Sequence, residues 1–420
     1  MSTVYTEVAV IGGGAAGMAA GLFSARAGAR TLILERNEKL GRKLYITGKG
    51  RCNLTNDATL EEFLREVPEH PKFLYSALSF LSPQDTMRLV EDHGCPVKVE
   101  RGRRVFPVSD KASDVTKAWQ RALSEAGCEF RLNSRVTGIS EEPEGGFRLT
   151  LPDGAVRAQC LVIATGGLSY PSTGSTGDGY AFAEQLRVPT QPRRPSLIPL
   201  LTADAWTGEL QGLSLKNVRL TAARGKKTVY TELGEMLFTH DGISGPLALE
   251  MSCHLPQPLP DDLRVSIDLK PGLTDEQLRN RFKREIAEAG KRTLKTLMEA
   301  LLPQRMGLLL LSVSGIDPAA RLNQLTAAQR ETLCGLLKAF PLAVSGTHPI
   351  AEAVVTRGGV DIRTLDPATM SVKDRDGLFF AGELIDVDAH TGGYNLQIAF
   401  STGALAGHHA ALRALASLNE

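Results

Sequence analysis

Residues 41–56 read GRKLYITGKGRCNLTN and set Gly41, Gly48 and Gly50 among Arg42, Lys43, Lys49 and Arg51. Bare backbone amides interleaved with cations suit a large anionic ligand. Thr47 and Asn53 add a hydroxyl and an amide for a ligand's polar edge, and Cys52 adds a thiol beside Lys49 and Arg51, cations able to lower its pKa, although a structural or ligand-adjacent thiol without redox turnover is the favoured reading. Other reactive types are scattered along the chain. His240, His390 and Tyr394 are candidate acids or bases, and the fork of Arg357 matches a carboxylate or carbonyl. His240 lies in LFTHDGISGP with Asp241 and Ser244. No GxSxG elbow accompanies them and the three side chains crowd one turn, which disfavours a hydrolytic triad and favours a turn that closes a barrel. His390 is placed to orient the glycine turn after it, and His348, before a proline, reads as structural.

These residues need elements to position them, and the N-terminus supplies the clearest. Residues 7–35, EVAVIGGGAAGMAAGLFSARAGARTLILE, read as strand, GxGxxG turn, helix, strand and acid. Gly12 permits the tight turn, Gly14 lets a pyrophosphate approach the backbone, and Gly17 lets the helix pack on the sheet. The helix opening at Ala15 and Ala16 offers unpaired N–H groups, and Glu35 is an acceptor for ribose hydroxyls, followed by Arg36. FAD and NAD share this fingerprint. The 41–56 loop favours FAD, because it can lie along an extended cofactor through Arg42, Lys43, Thr47, Gly48, Gly50, Arg51, Cys52 and Asn53.

Three later segments extend the reading. NSRVTGIS (133–140) is expected to meet adenine through the main chain of Val136, and CLVIATGG (160–167) brings Ala164, Thr165 and Gly166 to the adenosine half. GLFFAG (377–382) is a strand that ends at Gly382 and Glu383, with Asp386 close behind. A helix then runs from Gly393, Tyr394, Asn395 and Leu396 to about Ala416, and its positive end would stabilise negative charge on a reduced flavin.

Composition bounds the rest. The chain has 420 residues, enough for two or three domains, with 42% apolar and 23% charged residues and a net charge of +1. That balance gives no global field for nucleic acid or an anionic membrane, so no nucleic-acid or membrane partner and a small-molecule substrate are expected. No apolar run reaches membrane-spanning length and no secretory signal is visible, which predicts a cytoplasmic protein. The six cysteines are scattered, without a CxxC pair or zinc-ligand spacing, so no metal is expected and a dithiol relay through Cys52 is disfavoured. The expected organisation is a discontinuous Rossmann-like FAD domain of residues 1–190 and 349–420, a β-rich insertion of 191–273 and a helical subdomain of 274–348 opening at Thr274. The insertion is expected to cover the flavin and shape a substrate cleft.

GRKLYITGKGRCNLTN, RVFPVSDKASDV, ATGGLSYPSTGSTGDG, LFTHDGISGP, VTRGGVD and GELIDVDAHTGGYNLQIAFSTG together closely resemble the bacterial flavoproteins of the BaiN/YhiN type, a group of aminoacetone-oxidase-like or NAD(P)/FAD-dependent oxidoreductases. The resemblance implies a discontinuous FAD domain distantly like that of fumarate reductase flavoproteins, with an inserted β-barrel-like and helical part. One member of the group is linked to reduction of unsaturated bile-acid intermediates. Thr47 stands where many members have serine, which keeps the hydroxyl. The expected activity is hydride transfer between flavin N5 and a small organic substrate, foremost reduction of an activated C=C bond. An amine oxidase and a flavin-bound sensor or assembly protein are the alternatives, and a tRNA-modifying flavoprotein is a weaker one, disfavoured by the neutral charge. With no second strand–GxGxxG–helix unit, NAD(P)H is expected at most as a transient reductant.

Overall fold

The computed structural model describes residues 3–417. Two compact units divide the chain. The first joins the chain up to Ser196 with the chain from Pro349 onward, and the second is Leu197–His348. The first unit is a Rossmann-like α/β domain built from both ends of the chain. It runs past the expected limit at residue 190, because β4 (Thr190–Ser196) pairs antiparallel with β5 (Val355–Val360).

The sheet of this unit is centred on β1 (Thr3–Ile11), which pairs in parallel with β2 (Thr31–Leu34) on one side and β3 (Gly154–Ile163) on the other. β6 (Leu378–Phe380) also pairs in parallel with β3, and Glu129–Arg131 extends the sheet beyond β2. Val8–Val10, Ile33 and Leu161–Ile163 are fully buried, as expected of parallel strands covered on both faces. The register brings the strand ends level. Ile11 lies beside Leu34 and Ile163, and Ile163 lies beside Phe380. Gly12, Glu35, Ala164 and Ala381 therefore leave the sheet along one carboxyl edge, the place where open α/β sheets bind ligands.

Two helices lock this edge from behind. α1 (Ala15–Arg26) is rich in alanine and glycine because α5 (Tyr394–Ala416) lies against it with little room between the backbones. A Cβ at Gly403 or Gly407 of α5 would run into the carbonyl oxygens of Ala16 or Ala20. The N- and C-terminal parts of the chain are thereby one packed body.

The second unit carries a seven-stranded antiparallel sheet in the order 340–342, 263–268, 214–224, 227–238, 242–244, 200–202, 344–347. Its two outermost strands are consecutive in the chain, separated only by Ala343, so the sheet curls round on itself. Helices follow from α3 (Asp275–Ala289), opened by a capping box of Thr274 and Gln277, through α4 (Leu294–Leu301), Gln304–Ser314 and Ala327–Lys338. Leu220 and Ile267 of the sheet share one hydrophobic cluster with Phe282, Leu310 and Leu337 of the helices. The β-rich and helical stretches, separate in the sequence pattern, thus close a single core. No described helix is long and apolar enough to cross a membrane.

Candidate functional site

At the head of α1 the three glycines do different jobs. Gly12 has φ 101°, and a Cβ there would sit 2.5 Å from the Ala164 oxygen. A Cβ on Gly17 would meet the Gly12 carbonyl. Gly14 is the opposite case, with φ −76° and no atom within 4 Å of a built Cβ. The space beside it is open. No side chain caps the helix there, so the first-turn N–H groups from Ala15 and Ala16 onward lack intrahelical partners, a setting that accepts an anion. Glu35 braces the loop: Oε2 accepts the Gly13 N–H at 2.6 Å, and Oε1 accepts the Asn37 N–H and Nδ2 at 2.7 Å each. Three bonds leave roughly one of about four carboxylate lone-pair sites for a ribose hydroxyl.

The 41–56 loop is built differently from expectation. Arg42–Gly50 winds into 3-10 turns broken at Thr47, Gly48 and Lys49. Its cations mostly hold protein carboxylates. Lys43 Nζ lies 2.5 Å from Glu383 Oε2 and donates to Ser169 Oγ at 2.6 Å. Arg51 contacts Glu100 at 2.8 Å and Asp110 at 3.2 Å, with its guanidinium 3.9 Å from the centre of the Phe106 ring. Arg42 pairs with Glu38 at 3.5 Å, and Arg36 pairs with Asp178 at 3.1 Å, the first residue of α2 (Asp178–Gln185). Lys49 is exposed and, among the described residues, has no ion pair. Backbone amides, rather than a band of free charge, are what this loop offers an anion.

The setting of Cys52 suits a structural thiol and not an activated one. Cys52 is fully buried, burial pushes its thiol up to about 12, and side-chain hydrogen bonding with Thr47 offsets only part of that. The basic neighbours do not lower it, because Arg51 is spent on Glu100 and Asp110. Thr47 Oγ1 itself donates to the Leu44 carbonyl at 2.8 Å. Asn53 Oδ1 is buried with no hydrogen-bond partner among the described residues, and a Cβ on Gly393 would lie 3.0 Å from it. An orphaned acceptor in that position calls for a donor the protein does not supply.

The other segments meet the same edge. Ser134 N–H donates to the Glu35 oxygen and Thr137 N–H to the Thr150 oxygen, both at 2.8 Å. Between them Val136 is buried, and its main chain makes no hydrogen bond among the described residues. Gly166 (φ 76°) turns the chain after Ala164, and the Thr165 hydroxyl is buried without a partner among the described residues. Gly382 also has φ 76°, and its N–H donates to Thr402 Oγ1 at 3.0 Å. Glu383 is already committed to Lys43, to Ser169 Oγ at 2.5 Å and to the Thr356 N–H at 2.9 Å. Gly393 caps α5 with φ 100° and no side-chain bond, leaving the N–H groups of Tyr394, Asn395 and Leu396 outside the helical ladder. The Asn395 side chain is used within the turn: Oδ1 accepts the Ala389 N–H at 2.9 Å and Nδ2 donates to the Ala389 oxygen at 2.7 Å.

Three of the four acid, base or clamp candidates meet one segment of the first unit. Tyr394 packs edge-on against Phe63, ring centres 4.9 Å apart. His390 Nδ1 lies 3.0 Å from Glu66 Oε2. Arg357 is 7% exposed and grips Asp388 with two bonds, Nε to Oδ1 at 2.7 Å and Nη2 to Oδ2 at 2.9 Å, while Nη1 lies 3.5 Å from Glu69. Ser196 Oγ donates to the same carboxylate at 2.6 Å. Burial raises the pKa of nearby Asp386, Glu69 adds to it, and His70 opposes it. His240 is the exception. It lies in the second unit, its side chain 69% exposed, with Nε2 3.3 Å from Asp241, which also takes His348 at 3.4 Å. Burial pushes the Asp241 carboxyl up, but the Thr239 hydroxyl and the two imidazoles outweigh it and hold it low. Asp388 and Glu66 are not evident as site residues from the sequence. The available signal is that Asp386 and Asp388 interrupt the otherwise apolar run LIDVDA from Leu384 to Ala389.

The arrangement fits a flavin dinucleotide: open space and free amides at Gly14, an unused main chain at Val136, and an orphaned acceptor beside the head of α5. Comparison with known proteins agrees. The family described as HI0933-like protein Rossmann domain matches residues 6–409. The chain is 34% identical over 399 residues to the ribosomal RNA dihydrouridine synthase of Escherichia coli (strain K12), covering 94% of this chain and 96% of that one. It is 30% identical over 411 residues to the 3-dehydro-bile acid delta(4,6)-reductase of Clostridium scindens, covering 97% and 99%. A solved chain of Escherichia coli quinol fumarate reductase shares the fold, with TM-score 0.52 and 17% identity over 99% of this chain and 72% of that one. The chain belongs to the HI0933-like family of Rossmann-fold, FAD-dependent oxidoreductases.

Proposed function

We propose that this protein reduces a C=C bond conjugated to a carbonyl, and that the bond it reduces is the C5=C6 bond of a uridine in ribosomal RNA. One observation carries the reading. Two relatives, each similar over nearly the whole chain, are named for different substrates but for one kind of reaction. Dihydrouridine is uridine with that bond saturated, and a delta(4,6) system in a 3-dehydro acid is conjugated to its oxo group. Bound FAD supplies the hydride for the carbon remote from the carbonyl, and the protein must then supply a proton and stabilise the oxygen.

The chain's own residues divide that work. Arg357, fixed by both oxygens of Asp388, is the cation for charge that develops on the carbonyl oxygen. His390, hydrogen-bonded to Glu66, is the group that hands over the proton. The amides at the head of α5 and the Asn53 oxygen hold the flavin's polar edge. NAD(P)H is the proposed source of electrons, reacting transiently.

The test is an anaerobic titration of the purified flavoprotein with NADH and NADPH, followed by incubation with unmodified ribosomal RNA and mass analysis of its nucleosides. Dihydrouridine formed at a defined site supports the reading. Reduction of small steroid enones with no change in RNA would favour the second reading, a small-molecule reductase, which the bile-acid relative motivates. Peroxide formed from an amine and air would overturn both.

A further inference from the structure

The net charge of +1 is a sum over the whole chain and conceals a local excess. Residues 279–295 carry seven cations, Arg279, Arg281, Lys283, Arg284, Lys291, Arg292 and Lys295, against the two carboxylates Glu285 and Glu288. Three of the cations have acidic partners: Arg279 with Glu331 at 3.0 Å, Arg281 with Glu285 at 3.9 Å, and Lys295 with Glu299 at 4.0 Å. Lys283, Arg284, Lys291 and Arg292 are exposed and, among the described residues, have no ion pair.

The local fold gathers these four. Leu278 and Phe282 are buried and Ile286 partly so, which points one face of α3 into the core and leaves Lys283 and Arg284 on the solvent side. After Gly290 the chain is pinned rather than loose: Asn323 N–H bonds the Gly290 oxygen at 3.1 Å, Leu322 N–H bonds the Arg292 oxygen at 3.0 Å, and Thr293 bridges Arg321. Lys291 and Arg292 are thus held just beyond the end of α3, beside Arg321, another exposed cation without an ion pair among the described residues. Unpaired exposed cations repel one another, so a fold that fixes them together gives up some stability unless a polyanion neutralises them.

We infer that the surface formed by Lys283, Arg284, Lys291 and Arg292 is a contact site for the phosphate backbone of RNA. The inference rests on the proposed reduction of a uridine in RNA and names the part of the second unit that grips that substrate. The contacts are to phosphate and position the RNA without reading its sequence.

The experiment compares wild type with a variant carrying Lys283→Gln, Arg284→Gln, Lys291→Gln and Arg292→Gln, using unmodified ribosomal RNA as the probe. Binding is measured across a salt series. Neutralising four phosphate contacts should lower the slope of log affinity against log salt by about 3, and weaken binding roughly a hundredfold or more near 0.1 M salt. FAD content, thermal unfolding and reduction by NAD(P)H should match wild type, since none of the four side chains belongs to the core or the cofactor edge. A control, Lys226→Gln with Lys227→Gln in the 224–228 turn, should leave the slope nearly unchanged. A quadruple variant that keeps the wild-type slope and forms dihydrouridine normally would overturn the assignment while leaving the proposed reaction standing. A wild-type protein that neither binds nor modifies the RNA would overturn the reaction and this surface together.

Discussion

Arg357–Asp388 and His240–Asp241 are both nitrogen–carboxylate pairs in glycine-rich stretches that read as chemical sites, yet they are physically unlike. The first is buried on both sides, doubly bonded, and completed by a serine hydroxyl. The second is a single 3.3 Å approach by a mostly exposed imidazole. A buried carboxylate without a partner is costly, so Asp388 and Arg357 hold one another in a fixed orientation. An exposed pair is screened by water and fixes little. Residue type marks both places as reactive, but the surroundings make only the first a rigid, oriented pair.

The largest test of this contrast is to remove one partner from each pair. Asp388→Ala should cost about 3–5 kcal/mol in denaturant unfolding, because it strands a buried guanidinium. His240→Ala should cost no more than ~0.5 kcal/mol and leave the flavin spectrum unchanged. Equal costs would mean that the burial contrast is not what separates them. A smaller test compares two glycines of the first unit. Gly403→Ala places a methyl against the Ala16 carbonyl and should cost about 1–3 kcal/mol, with FAD lost as a consequence of the loosened α1–α5 contact. Gly14→Ala meets no protein atom, so stability without cofactor should change by less than ~1 kcal/mol. FAD affinity should nevertheless fall by roughly tenfold or more, about 1.4 kcal/mol, as seen by fluorescence titration. If Gly14→Ala binds FAD as well as wild type, the open space beside α1 is not the pyrophosphate seat.

The contrast also marks how far the sequence can be read. Elements whose signal is local are legible. The β1–GxGxxG–α1 unit, the cap at Thr274 and the end of α5 near Ala416 follow from periodicity, turn chemistry and capping over a few residues. What stays hidden is the pairing of charges across the chain. Lys43 and Arg51 read as ligand-binding because nothing beside them in sequence neutralises them, but Glu383 lies 340 residues from Lys43 and Glu100 lies 49 from Arg51. The activated-thiol alternative for Cys52 has the same origin, since its burial comes from tertiary packing. The basic residues at 279–295 are hidden by a chain-wide sum that cancels them against acids placed elsewhere.

Asp361 and Arg363 supply an intermediate point on the same scale and the smallest expected effect. The carboxylate is nearly buried while the guanidinium is 78% exposed. Arg363 donates to Asp361 from its side chain, at 2.6 Å from Nη2, and from its N–H at 2.9 Å, and Gln191 adds a third donor at 2.8 Å. These bonds, with Arg363 foremost and burial opposing, hold the Asp361 carboxyl down at about 2. An unfolded chain would titrate it near ~3.9. The folded pKa is the lower one, so the stabilisation is complete above about pH 4 and drains away as pH falls from there toward 2. Allowing for screening around the exposed arginine, its size is on the order of 1 kcal/mol. Asp361→Asn should therefore be less stable than wild type by about that much at pH 7. The two proteins should converge as the pH approaches about 2, in urea unfolding across the acid range. A deficit that stays constant with pH would show that packing and neutral hydrogen bonds, rather than the ionised carboxylate, make the contribution. The pair would then belong with the exposed His240–Asp241 class, where charge itself holds little in place.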